Sequence, residues 1–170
     1  MRKLTLFCIT IVVLMIIPQW HSTCWGAEIK TLHEFQNSSF VKKYSQSKPI
    51  ESWPLKTGGY SNNFTFDLGI DKNSLVFLEI LTKSKDNPSI YRYSMICHAG
   101  YIKRMKSFFR DFFNAIDSSL DSKAVNDYIQ NQASVKLLKH SDAPKKTFDK
   151  YSVRVSNILN GVSISIEKKF

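Results

Sequence analysis

Cys97 and His98 stand side by side, and a thiol next to an imidazole is the pair from which cysteine hydrolases take a nucleophile and its base. The residues around them, Ile90 to His98 (IYRYSMICH), have the composition of a strand, where neighbouring side chains point to opposite faces. The two groups therefore cannot reach each other, and a hydrolase would need His33 or His140 brought in by the fold. Asp67, Cys97 and His98 are the first residues to inspect for a site assembled from scattered positions. Serine hydrolase chemistry lacks its G-x-S-x-G turn. His33, His98 and His140 have none of the usual metal-ligand spacings, and Gly58-Gly59 is not followed by the strand–helix unit and lysine of a phosphate loop. The sequence thus assigns no catalytic, cofactor-binding or metal-ligating residue.

Lys103, Lys106 and Arg110 carry a different chemistry. Their i, i+3, i+7 spacing places them on one face of a helix, opposite a row of phenylalanines. Lys103 and Lys106 fall in its first turns, where the helix dipole favours acids. A basic stripe there can hold phosphate or carboxylate, although such stripes are commonly plain solvated faces. Asp117 further along reduces its purity. Phe108, Phe109, Phe112 and Phe113 are expected in the core rather than on a stacking platform. RNA-binding sheets carry their aromatics on strands, and no basic-aromatic motif surrounds Tyr91 and Tyr93. No specific nucleic-acid signal is present.

The start of the chain reads as an export signal. Met1-Arg2-Lys3 is a positive n-region, and Leu4 to Ile17 is an uncharged, largely apolar run of about 14 residues, short of the roughly 20 that span a bilayer. Pro18 ends it, a polar stretch follows, and cleavage is expected near residues 24–27. Removal of Arg2 and Lys3 with no acid lowers the net charge from +10 to +8, and cleavage after Ala27 leaves 143 of 170 residues, enough for one domain. Cys8 and Cys24 precede or adjoin the cut, so Cys97 is left as a single thiol with no disulfide framework. Protein purified from its native host should show an intact mass reduced by residues 1–24 to 1–27, and a full-length cytosolic species would contradict export.

The elements follow from periodicity. Residues 28–62 read as a loosely structured arm with one short helix at Ile29, Leu32 and Phe35 and with Trp53 as its apolar anchor. From residue 63 to 170 a single domain is expected. Phe64, Phe66, Leu68 and Ile70 alternate as a strand, Leu75 to Leu81 is a nearly all-apolar strand, and Ile90 to His98 completes an antiparallel meander. Ile102, Met105, Phe108, Phe109, Phe112, Phe113, Ile116 and Leu120 define the face of a long helix. A shorter helix, Ser122 to Gln132, is expected with Ser122 as its N-cap, followed by a strand at Ser134 to Leu138. Asn160-Gly161 signals a hairpin in Tyr151 to Ile166, with Leu159 opposite Val162. Val153, Val155, Leu159, Val162, Ile164 and Ile166 then share one face, and Arg154, Ser156, Ser163, Ser165 and Glu167 the other.

The expected fold is α+β. An antiparallel sheet of five or six strands, made of a three-strand meander and a C-terminal hairpin, is packed by one long amphipathic helix and a second, shorter one. The expected function is an exported, non-enzymatic interaction or accessory protein, periplasmic or secreted, whose basic surface at Lys103, Lys106 and Arg110 meets an anionic protein or envelope component. A small secreted hydrolase is the rival class.

Overall fold

The structure is a computed structural model that describes residues 28–44, 50–71, 74–85, 89–135 and 144–169. The expected signal segment and His140 lie outside the described residues. The chain forms the expected antiparallel α+β fold. Seven strands run in the order β1-β2-β3-β4-β7-β6-β5. They are β1 (Glu51–Pro54), β2 (Tyr60–Asp67), β3 (Leu75–Thr82), β4 (Ile90–His98), β5 (Lys146–Phe148), β6 (Tyr151–Ile158) and β7 (Gly161–Lys168). The meander is β2-β3-β4, and pairing of β4 with β7 joins it to the hairpin. Among the described residues no helix is long and apolar enough to cross a membrane.

The helices lie on one face. They are α1 (Leu32–Gln36), α2 (Ser39–Lys43), α3 (Lys106–Ile116) and α4 (Ser122–Val135), with a 3-10 segment over Ala99–Met105 between β4 and α3. The single helix expected from Ile102 to Leu120 is therefore split, although its apolar residues are all buried as expected. Its first part is a 3-10 helix whose N-cap is His98, Nδ1 of which accepts from the Gly100 amide at 3.1 Å. For α4 the N-cap is Asp121 rather than Ser122: the Asp121 carboxylate accepts from the Ala124 amide at 2.9 Å. Ser134 and Val135 end α4 instead of starting a strand, and the rest of that expected strand lies outside the described residues.

The arm is more ordered than its composition suggests. Thr31 and Glu34 form a reciprocal capping box that starts α1. The isolated bridge Thr31↔Ser89 ties the arm to the start of β4. Phe35 and Phe40 are fully buried and anchor the arm, whereas Trp53 is 50% exposed on an edge strand with no inward face. Strand β2 starts at Tyr60, so it spans the boundary expected at residue 62. Gly59, at φ +89°, lets this hairpin close, because a Cβ there would lie 2.3 Å from the Thr82 carbonyl.

The C-terminal hairpin departs from expectation in a way that preserves its faces. Ile158 pairs with Gly161 and Val155 with Ile164, so Leu159 and Asn160 form the turn, with Leu159 at φ +39°. A hairpin with Leu159 opposite Val162 would set Val155 opposite Ile166, so the partner of Val155 is displaced by two residues. A displacement of two keeps the parity of a strand, whereas one would invert every side chain. Val153, Val155, Val162, Ile164 and Ile166 remain on the helix side, while Leu159 leaves the core for the turn. Gly161 is held close to β4: a Cβ would stand 3.2 Å from the Cys97 carbonyl.

Candidate functional site

Every helix among the described residues packs on one face, which leaves the other face of the sheet bare of them, and strand register fixes what that face carries. On β4 the outward residues are Arg92, Ser94, Ile96 and His98; on β7 they are Glu167, Ser165, Ser163 and Gly161; on β6 they are Ser152, Arg154, Ser156 and Ile158. The pairings set these in four tiers: Arg92–Glu167–Ser152, Ser94–Ser165–Arg154, Ile96–Ser163–Ser156 and His98–Gly161–Ile158. Beyond Glu167 the central strand presents only serine and glycine, so β7 is the low floor of a trough whose walls are β4 and β6.

At one end of this trough a hollow of about 360 Å³ is lined by Arg92, Lys145, Ser152, Arg154, Ser165 and Glu167. Three cations and one carboxylate line it. Arg92 and Lys145 both pair with Glu167, the latter at 2.5 Å. Lys145 and Arg92 hold the Glu167 carboxyl below the ordinary carboxylate value, against the upward push of its part burial. Arg154 makes no ion pair with any described residue. Arg92 Nε is buried and meets no acceptor among the described residues. Ser152 is buried on the β6 side, and Ser165 on the floor lies between Arg154 and Ser94. The hollow thus offers guanidinium, ammonium and hydroxyl donors to an anion, with a surplus of positive charge.

At the other end the face is apolar. Leu75, Phe77, Ile96, Ile158 and Leu159 line a groove of about 520 Å³ beside His98 and Gly161. Phe77, Ile96 and Ile158 are 47%, 42% and 40% exposed and Leu159 is 90% exposed, which makes them a contiguous exposed patch.

The residues singled out by sequence fall elsewhere. Lys103 lies in the 3-10 segment and Lys106 and Arg110 on α3, all exposed on the helix layer, on the opposite side of the molecule from the trough. Arg110 Nε is 3.5 Å from Asp111, which also accepts from Lys43 at 2.5 Å and from the Tyr44 hydroxyl at 2.9 Å. Asp111, not Asp117, is therefore the acid that dilutes the stripe. Asp117 is the buried C-cap of α3.

The hydrolase suspects do not converge. Cys97 faces the core and His98 the bare face, as neighbours on a strand must. Burial pushes the Cys97 thiol up to about 12, away from thiolate chemistry. Asp67 accepts from the Gly69 amide at 2.8 Å and from the Ser74 hydroxyl at 3.3 Å, two strands away from His98. No three His, Cys, Asp or Glu side chains come together as a metal site among the described residues.

Sequence reading placed Arg154, Ser165 and Glu167 on one face but missed the site, because Arg92 joins them only through the long-range pairing of β4 with β7. No family model, curated protein or solved structure matches this chain.

Proposed function

We propose that this is an exported, non-enzymatic binding protein that holds an anionic group of a partner in the hollow on the bare face of its sheet. The observation that carries this reading is the convergence of Arg92, Arg154 and Lys145 with the Ser152 and Ser165 hydroxyls around a single carboxylate. A phosphate or carboxylate there would gain charge-assisted hydrogen bonds from donors of which all but Lys145 stand on strands. The binding reading is supported over a hydrolase by the separation of Cys97 from His98 and by the buried, protonated thiol. Export, to the periplasm or outside the cell, is supported by the charged start, the apolar run from Leu4 to Ile17 and the polar exit.

Titration calorimetry with inorganic phosphate tests the reading. Arg154→Gln should weaken binding about tenfold or more, since a hydrogen bond to a charged group is worth about 1.5–3 kcal/mol. The Lys103/Lys106/Arg110→Ala triple variant should bind like the wild type. The reverse pattern would place the site on the helix stripe and overturn the sheet-face reading.

A further inference from the structure

The anion hollow and the apolar groove lie on the same face of the sheet, and along β7 only the outward-facing Ser163 stands between the residues that line the one and those that line the other. The two features share three strands and one face. From Glu167 to Gly161 the floor spans six residue steps, which corresponds to about 20 Å at 3.3–3.4 Å per step. Large side chains stand on alternate walls along this path: Arg92 and then Ile96 on β4, Arg154 and then Ile158 on β6. Basic residues thus flank the first half and aliphatic residues the second, with small hydroxyls and a glycine beneath.

We infer that the trough binds a single-chain anionic amphiphile, with its phosphate or carboxylate head between Arg92 and Arg154 and its hydrocarbon tail along β7 towards Ile96, Ile158 and Phe77. This rests on the anion-binding reading above and adds the class of ligand. Charge complementarity selects the head: three cations face one carboxylate, and the nearest further acid on this face, Glu79, accepts from the Ser61 hydroxyl at 2.6 Å. The exposed apolar patch selects the tail, because contiguous exposed aliphatic and aromatic side chains on a polar sheet face gain most by covering hydrocarbon. A second copy of the chain fits less well. Four side chains, three of them about half exposed, fall well short of the roughly 800 Å² per partner that a stable interface buries.

The test compares dodecyl phosphate, hexyl phosphate, inorganic phosphate and dodecyltrimethylammonium, each below its micelle concentration, by titration calorimetry on the exported protein. Dodecyl phosphate should bind at least about tenfold tighter than inorganic phosphate, with hexyl phosphate between them, because each buried methylene adds a few-fold. Ile96→Ser combined with Phe77→Ser should remove most of that advantage while leaving inorganic phosphate binding unchanged; both positions are solvent-exposed, so the fold is kept, as a thermal melt would verify. Arg154→Gln should weaken all three phosphates. If inorganic phosphate binds and the dodecyl chain adds nothing, the amphiphile inference is overturned and the anion site stands. If no phosphate binds, both fail. Equal binding of the dodecyl cation, or binding to phosphatidylglycerol vesicles without binding of monomeric dodecyl phosphate, would also overturn the inference, in favour of unspecific adsorption or of a membrane surface.

Discussion

Replacing Phe112 by alanine should lower the stability of the protein by about 3–5 kcal/mol, as measured by denaturant unfolding. Phe112 is fully buried and sits at the centre of an aromatic cluster. Its ring centroid is 5.4 Å from that of Phe40, 5.5 Å from Tyr93, 6.2 Å from Phe35 and 5.4 Å from Phe113, all in edge-on geometry. Edge-on aromatic pairs contribute about 0.5–1.5 kcal/mol beyond the area they bury. The cluster draws residues from α1, α2, α3 and β4, so the truncation leaves a cavity that no single element can collapse to fill. A loss below about 1 kcal/mol would mean that α3 does not pack on the sheet through this residue.

The second large effect concerns charge. Lys150, in the turn between β5 and β6, lies 2.7 Å from the Asp117 carboxylate and 2.9 Å from that of Glu28, and Lys168 also pairs with Glu28. The cluster fastens the arm, the end of α3 and the hairpin together. Burial pushes the Asp117 carboxyl up, but Lys150 and hydrogen bonds from the Ser119 amide and hydroxyl outweigh it and hold it below the ordinary value. Glu28 behaves likewise, with burial opposed by Lys168 and Lys150. A carboxyl whose folded value is depressed stabilises the fold above its unfolded value, about 4, and that stabilisation is lost as pH falls through the folded value. Stability should therefore drop on acidification below about pH 4. Lys150→Met leaves Asp117 buried without its cation and should cost about 3 kcal/mol at neutral pH, at the low end for a broken buried pair because Lys150 is itself partly exposed. The same variant should show a shallower acid limb, and adding Asp117→Asn should restore part of the loss. Unfolding curves at pH 7 and at about pH 2 measure all three effects, and an unchanged acid limb in Lys150→Met would exclude this cluster as its source.

Much of this architecture is legible from local pattern. The alternation in β6 and β7 and the helical spacing of Ile102 to Leu120 report burial directly, because a single face of each element meets the core. The arm gives only a fragment of such a signal, in Ile29, Leu32 and Phe35 around the start of α1. Phe35 and Phe40 sit on two short helices separated at Asn37 and Ser38, so no periodic stripe links them. Strand β1 is exposed throughout and β5 has three residues, which leaves nothing to alternate. The hairpin turn went to Leu159 and Asn160 because Gly161 is needed against the Cys97 carbonyl, a contact across strands far apart in the chain. The site suffered most from such non-local dependence. Arg154, Ser156, Ser163, Ser165 and Glu167 were legible as one polar face, but a polar face alone predicts solvent. Only the pairing of β4 with β7 brings Arg92 to Glu167 and Ile96 to Ser163, and it is this pairing that turns a polar face into a trough with a basic and an apolar end.

The claim that the bare sheet face is the binding surface is tested most directly by mapping amide shifts of the exported protein during titration with dodecyl phosphate. The trough predicts shifts confined to the ladder of β4, β7 and β6, strongest near Arg92, Ser165 and Arg154 with a second group around Ile96, Gly161 and Ile158. Shifts concentrated on Lys103, Lys106 and Arg110, with the β7 amides unmoved, would contradict it.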